Sequence, residues 1–176
     1  MRYSQALELS LCILAGSMTV LADQAPLDCA QQSLADAVAS AVQGASIRFT
    51  GVCAGPVVVR TGGLSLTGVG TAVIDGGKSD AVTIDGANAV KLSSLDVRNG
   101  TAGILGINGA HIALNSVNVH DNLGFGISLQ TSSSVILTDV SSSHNGVHGL
   151  DQSVGVHALP VRLDARVRDV RQRRRG

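Results

Sequence analysis

The sequence contains very few aromatic residues and few charges. It has 176 residues with no Trp, one Tyr and two Phe, and charged residues make up 15% of it, against about 25% in typical soluble proteins. The scarcity of rings excludes a core built around aromatic side chains, and the formal net charge of zero excludes disorder caused by an excess of one charge. Gly is abundant, with 21 residues, and Ser, Thr, Asn and β-branched residues are frequent. This composition favours short strands joined by many turns.

Residues 1–22 have the features of a secretory signal peptide. Arg2 supplies a positive charge near the start, residues 9–21 are mostly apolar, and the stretch ends in a potential cleavage site at Ala22. The apolar run is shorter than the ~18 residues that a membrane-spanning helix requires. The sequence therefore predicts a bacterial protein that is secreted or periplasmic and has no transmembrane span.

Export gives a role to Cys29 and Cys53. In an oxidising compartment a lone pair of cysteines usually forms a disulfide, and closing a loop of about 25 residues would stabilise the fold by about 3 kcal/mol. A catalytic Cys is the alternative, but neither residue has a His nearby in the sequence, since the first one is His111. We predict a Cys29–Cys53 disulfide.

A 23-residue repeat runs through the middle of the chain. Its markers are two columns of residues at this spacing, Asn99, Asn122 and Asn145 and then Gly103, Gly126 and Gly149. Between the markers apolar and polar residues alternate, as in strands that bury one face. Three such strands per repeat, wrapped into a coil and stacked on the next, would bury every inward side chain in one core. The pattern predicts an all-β parallel β-helix of about five coils over residues 45–152, with the Asn column as a hydrogen-bonded ladder and with Gly or Asn at corners that need a positive φ.

These features resemble the right-handed parallel β-helix proteins of the pectate lyase-like superfamily. The phrases that carry the resemblance are Leu64-Ser65-Leu66-Thr67-Gly68, Ile74-Asp75-Gly76-Gly77 and Gly126-Ile127-Ser128-Leu129. The resemblance implies a right-handed β-helix. It leaves the function open, because the superfamily includes lyases, hydrolases, epimerases, adhesins and non-catalytic modules.

A short amphipathic helix is predicted at residues 29–43, within an N-terminal capping segment at 23–44. Asp28 can cap the start of this helix and Gly44 can end it. Its apolar positions are spaced by four: Ala30, Leu34, Val38 and Val42. A helix here would cover the open end of the first coil, which otherwise exposes strand edges, and the disulfide would fix it there.

The candidate site is a column of outward polar residues. Adding 23 to Arg98 gives Asp121 and then His144, so that a base, an acid and an imidazole would stack ~4.8 Å apart. One coil is a residue short, and if that residue is counted differently, His120 takes the place of Asp121. Such a cluster could act as a weak acid–base or anion site. The alternative is a solvated ladder of polar side chains.

The resemblance associates polysaccharide lyases and hydrolases with clustered carboxylates on neighbouring coils. Here Asp75, Asp85 and Asp96 are single and lie near turns, where Asp commonly caps. We therefore predict no metal site and no cofactor, with calcium expected only for a lyase.

The expected function is a secreted, monomeric, non-catalytic β-helix module that is structural or contacts a polysaccharide or cell-surface component weakly. No specific nucleic-acid site is expected. The alternative is a carbohydrate-active enzyme, namely a pectate lyase-like lyase, a hydrolase or an epimerase, or a truncated fragment of one.

The repeat stops after Gln152, and residues 153–176 differ from the rest in carrying most of the arginines. Three interpretations stay open. The tail could be disordered and bind anionic polymers by charge. It could add a last strand, since Val161, Leu163 and Ala165 alternate with polar residues. It could also be a truncated or frame-shifted segment that is not native to the fold.

Overall fold

The computed structural model describes residues 25–152. The predicted signal peptide and the arginine-rich tail lie outside the described residues. The elements are β1 (Leu27–Asp28), α1 (Leu34–Ala39), β2 (Ser46–Ala54), β3 (Val57–Val59), β4 (Ser65–Asp75), β5 (Val82–Asp85), β6 (Val90–Arg98), β7 (Ile104–Ile107), β8 (His111–His120), β9 (Ile127–Leu129), β10 (Ser134–Ser143) and β11 (Leu150–Gln152).

The strands form two parallel sheets that wind around one axis. The order is β1-β2-β4-β6-β8-β10 in one sheet and β3-β5-β7-β9-β11 in the other. From β2 onward each coil gives one long strand to the first sheet and one short strand to the second. The structure is thus a parallel β-solenoid of about five turns with one small helix near its N-terminus, which confirms the predicted fold class.

The long strands are bent, and the bend accounts for the third strand that was predicted in each coil. Ser94, Ser116 and Asp139 lie at the bends with φ of 56°, 53° and 51°, and the pairing between neighbouring coils skips these residues. Each of these long strands therefore contains two of the three strands predicted for its coil, joined by one residue in the left-handed backbone conformation.

The core consists of apolar side chains stacked from coil to coil. Leu92, Leu114 and Leu137 form one such stack, and each is 0–1% exposed. Phe49 is fully buried in the first coil. Apart from Phe49, the described core is filled by aliphatic side chains, mainly Val, Ile and Leu, which pack closely without further aromatic rings.

Helix α1 is shorter than the sequence predicted. It has six residues and begins after Ser33, whose hydroxyl accepts a hydrogen bond from the Asp36 amide at 3.2 Å. Asp28 does not cap α1, because its side chain accepts from the Ala30 amide at 2.9 Å within the preceding turn. Val42 lies beyond the helix and is 74% exposed. The helix predicted from the spacing of apolar residues is thus too long at both ends.

The Cys29–Cys53 disulfide is confirmed, with a Cα–Cα distance of 4.9 Å. Cys29 lies in the turn after β1, rather than on the helix, and its amide donates to the Thr50 carbonyl at 3.0 Å. Cys53 is buried in β2. The bond therefore ties the N-terminal turn to the first coil.

Candidate functional site

The residue opposite Arg98 in the next coil is His120, and the predicted pairing of Arg98 with Asp121 is wrong. His120 in turn lies opposite Ser143, and Asp75 lies opposite Arg98 on the other side. These four residues, Asp75, Arg98, His120 and Ser143, are called the polar column below. The alternative register, in which His120 replaces Asp121, is the one that the structure has.

Asp121 and His144 instead share a corner with Asn99. The three residues have nearly equal backbone conformations, with φ of 57° for Asn99, 55° for Asp121 and 54° for His144. Arg98 pairs with His120, whereas Ile104 pairs with Ile127, so the step to the next coil is one residue shorter at Arg98 than at Ile104. The residue that the third coil lacks is therefore missing from the turn after Asn99 and not from the strand before it.

The Asn ladder has two members and does not include Asn99. Asn122 is 2% exposed, and its amide nitrogen donates to the side-chain oxygen of Asn145 at 2.9 Å. In the third coil the ladder position is taken by Gly100, whose backbone N–H donates to the Asn122 side chain at 2.8 Å. Asn122 and Asn145 therefore contact each other as members of a ladder do. Asn99, which the sequence places in the same ladder, is not part of it and donates its side-chain amide to Asp75 instead.

The glycines at 103, 126 and 149 stack as predicted, but for a different reason. Gly103 donates its amide to the Phe125 carbonyl and Gly126 to the His148 carbonyl. None of the three has a positive φ. A Cβ on Gly103 would approach the Gly126 carbonyl oxygen to 2.6 Å. Glycine is thus required at positions 103 and 126 by the close approach of neighbouring coils, whereas a Cβ on Gly149 would meet no atom closer than 3.3 Å. Asn, Asp and His residues supply the left-handed corner.

Asp75 binds its neighbours through both carboxylate oxygens. Arg98 Nε lies 3.3 Å from one oxygen, and the Asn99 side chain donates to the same oxygen at 2.7 Å. The Gly77 amide donates to the other oxygen at 3.2 Å. The Arg98 side chain is 38% exposed and that of Asp75 is 26% exposed, so the pair lies at the surface with one side towards the coil stack.

These contacts lower the pKa of Asp75. Burial alone would raise it, because it disfavours the charged form. Hydrogen bonds from Asn99, Gly77 and Arg98, together with the positive charge of Arg98, outweigh burial and hold the pKa of the Asp75 carboxyl below its ordinary value. Asp75 is therefore held as a carboxylate by residues of its own and the next coil.

A second Asp has a similar set of partners. Asp85 accepts from Arg60 of the previous coil at 3.2 Å and from the Asn108 side chain of the next coil at 2.7 Å. The sequence alone predicts both Asp residues to be isolated turn caps. The interval from Asp75 to Arg98, and again from Asp85 to Asn108, equals the sequence repeat, and this is the signal that could have revealed these contacts.

Two further carboxylates of the outward surface also have partners within the stack. His120 Nδ1 lies 2.7 Å from an oxygen of Asp121, and the Ser116 hydroxyl donates to Asp139 at 3.2 Å. His144 contacts the Ser143 hydroxyl at 3.3 Å and does not join the pair formed by His120 and Asp121. The structure therefore divides the predicted cluster into separate contacts.

Two clefts in the described part of the chain lie away from the polar column. Within residues 25–152 no group of three or more His, Cys, Asp or Glu side chains could hold a metal ion. A cleft of about 300 Å³ lies between α1 and β3, and a wider one of about 1070 Å³ lies beside β1. Neither is lined by a residue of the polar column.

In the same part of the chain no helix is long and apolar enough to cross a membrane.

Comparisons of the chain with protein-family models, with curated proteins and with solved structures give no match. The function is therefore inferred from the contacts described above.

Proposed function

We propose that the protein is a secreted, non-catalytic β-helix module that contacts a polysaccharide or another cell-surface component weakly through the polar column. The observation that carries this proposal is that neighbours in the coil stack engage four outward carboxylates. Asp75 and Asp85 are each held by an Arg and an Asn, and Asp121 and Asp139 are held by His120 and Ser116. Groups held in this way act as parts of the fold.

The same proposal includes secretion and a place in the pectate lyase-like superfamily of right-handed β-helix proteins. The Cys29–Cys53 disulfide is of the kind that persists in oxidising compartments. The parallel solenoid is compatible with a right-handed β-helix of the pectate lyase-like superfamily, the resemblance that the sequence phrases carry. That superfamily includes non-catalytic modules, so the fold and the proposed function agree.

The chemistry of the polar column favours weak contact with sugar hydroxyls. Arg98 offers exposed guanidinium donors, and His120, with a side chain 20% exposed, and Ser143 continue the polar surface. The polar column contains no aromatic ring other than the imidazole of His120. Phe49 is fully buried, and the Phe125 ring lies beside His148, with the ring centroids 6.1 Å apart. Polar contacts without stacking predict low affinity.

Native electrophoresis through gels that contain embedded polysaccharides tests this proposal. We expect acidic polysaccharides to retard the wild-type protein and Arg98→Ala to be retarded less. Lys91→Ala is the matched control, because Lys91 is an exposed cation on another part of the same strand, and it should behave as wild type. Equal effects of the two substitutions, or no retardation by any polysaccharide, would contradict binding through the polar column.

A carbohydrate-active enzyme of the lyase, hydrolase or epimerase type, whole or a fragment, is the second candidate. The observation in its favour is a carboxylate adjacent to a basic residue, Asp75 beside Arg98. A lyase of this type would need calcium, and the residues present do not fit that ion. The oxygens of Asp75 already accept three hydrogen bonds, and the described part of the chain brings no three acidic or metal-binding side chains together.

A further inference from the structure

The turns that follow β8 and β10 expose apolar side chains on neighbouring coils. Leu123 is 66% exposed and Val147 is 53% exposed. The backbone N–H of Val147 donates to the Gly124 carbonyl at 3.0 Å, so Val147 stacks on the residue that directly follows Leu123. Apolar residues exposed singly are common on protein surfaces, whereas a contiguous exposed patch marks a contact site. The other large apolar residues that are mostly exposed lie in separate parts of the described chain: Val42, Val52 and Ile136.

Two rings lie in the same turns. Phe125 is partly exposed and His148 is exposed, and their ring centroids are 6.1 Å apart with the ring planes inclined by 35°. The Gly126 amide donates to the His148 carbonyl at 2.9 Å, so these rings also belong to neighbouring coils. The four residues of these turns, Leu123, Phe125, Val147 and His148, are called the corner patch below.

Backbone hydrogen bonds hold the corner patch from both sides. The amides of Leu123 and Gly124 donate to the carbonyls of Gly100 and Thr101, each at 2.8 Å. Gly100 and Thr101 therefore occupy the same turn of the third coil, where neither supplies a large apolar side chain. On the other side the bond from Val147 joins this turn to the last coil. A surface whose backbone is already fixed loses little conformational entropy when it binds a ligand.

The corner patch adjoins the polar column at the corner of the solenoid. His120 of the column bonds the side chain of Asp121 at 2.7 Å, and the Asn122 side-chain nitrogen donates to the His120 carbonyl at 3.1 Å. Leu123, the first residue of the patch, follows directly. Hydrogen-bonding groups and exposed apolar surface thus lie next to each other.

We propose that the corner patch is an apolar subsite for one sugar ring of the polysaccharide that the polar column contacts. This inference rests on the proposed function and names the part of the ligand that the patch takes. A pyranose ring has an apolar C–H face and a rim of hydroxyl groups, which match an apolar patch beside hydrogen-bonding side chains.

The size of the corner patch favours a sugar ring over a protein partner. The patch spans two coils, which lie ~4.8 Å apart in a solenoid of this kind. Its few side chains fall far short of the roughly 20–30 residues that each partner contributes to a stable protein interface. One ring of a polysaccharide needs no larger surface, since the rest of the chain contacts the polar column.

Native electrophoresis through gels with embedded acidic polysaccharides tests the contribution of the corner patch to binding. Leu123→Ser removes an exposed apolar side chain, and we expect it to reduce the retardation of the protein. We expect Phe125→Ala to weaken apparent binding about two- to tenfold, the range for one aromatic contact. Ile136→Ser is the matched control, because Ile136 is 60% exposed on β10 and lies outside the patch. It should be retarded as the wild type is.

Saturation-transfer NMR locates the contact itself. Phe125 and Phe49 are the two Phe residues of the sequence, and Phe49 is fully buried. In a protein whose Phe rings are the only protonated aromatic groups, saturation of the ring protons therefore reports on Phe125. We expect transfer to the C–H protons of an oligosaccharide cut from the polysaccharide that retards the protein. Phe125→Leu, which keeps an apolar side chain at this position, should abolish the transfer.

The two experiments distinguish failure of this inference from failure of the proposed function. If Arg98→Ala reduces retardation but Leu123→Ser does not, or if no transfer from Phe125 occurs, the polar column binds without the corner patch and only the inference is overturned. A dimer that Leu123→Ser dissociates would show that a second copy covers the patch, which also overturns it. No retardation of the wild type by any polysaccharide would overturn the proposed function and the inference together.

Discussion

Single residues of the polar column contribute to stability through the coil stack, and Asp75 has the largest set of partners. We expect Asp75→Asn to lower the free energy of unfolding by about 1 kcal/mol at neutral pH, since a partly exposed ion pair is worth little more. The pKa of Asp75 is lowered in the folded protein. Its contribution is therefore complete above the pKa of the unfolded chain, about 3.9, and is lost as the pH falls through the folded value.

Urea unfolding at neutral pH and near pH 3 measures this effect. The difference between wild type and Asp75→Asn should shrink in acid. Asp96→Asn is the control. Asp96 lies on β6, on the same outward face as Arg98, and it forms no ion pair among the described residues. A pH-independent difference for Asp75→Asn, or an equal loss for Asp96→Asn, would show that the contacts of Asp75 do not stabilise the fold.

For single residues, the sequence predicted which side chains are polar and point outwards, but it did not predict their partners. The gap in the third coil could be placed on either side of Asn99, and spacing alone does not distinguish the two. The side chains do. Asn99, Asp121 and His144 belong to the three residue types that are enriched at positive φ, and aligning them on that property places Arg98 opposite His120, as observed.

The glycine column determines how closely neighbouring corners can stack. We predict that Gly126→Ala destabilises the protein by about 1–3 kcal/mol, because the added Cβ would lie 2.5 Å from the Asn145 side-chain nitrogen and 2.7 Å from the Gly149 carbonyl oxygen. Gly149→Ala is the matched control in the same column, where the nearest atom would be 3.3 Å away. Thermal unfolding of the two variants should rank Gly126→Ala as clearly less stable. Equal stabilities would mean that the column has another role.

The disulfide fixes the N-terminal turn to the first coil. We expect no free thiol from Cys29 or Cys53 in the native protein, and we expect their joint replacement by Ser to cost about 3 kcal/mol. Reduction should loosen the cap first and leave the later coils folded, because the bond joins only the turn after β1 to β2. Thiol titration before and after reduction, with hydrogen exchange of β8 and β10, checks both statements. Two native thiols per chain from these residues would refute them.

The elements of the middle coils were more predictable than those of the N-terminal end. Alternation and the regular spacing of the repeat indicate β8 and β10, whose residues pair at one constant offset. The helix was extended too far, because the spacing of its apolar residues ignores the Ser33 cap and the separate turn that Asp28 holds. Strand β4 carries an irregularity between Thr67 and Val73, which no periodic pattern can place.

At the scale of the whole molecule, the parallel solenoid was predictable because its core is the same apolar position repeated in every coil. The function was less predictable, because a polar column on a solenoid has the same sequence pattern whether its residues bind one another or bind a substrate. In the structure Asp75 of the column and the nearby outward residues Asp85, Asp121 and Asp139 contact residues of the same stack. We therefore propose that the polar column is a structural surface that binds weakly and does not catalyse a reaction.

Incubation of the full-length protein with a panel of uronate polysaccharides and calcium distinguishes a structural surface from an active site, because a lyase would form unsaturated products that absorb ultraviolet light. We expect no product above that of the buffer control. Product that depends on the protein, and that is lost in Arg98→Ala but kept in Lys91→Ala, would contradict it and identify the polar column as an active site.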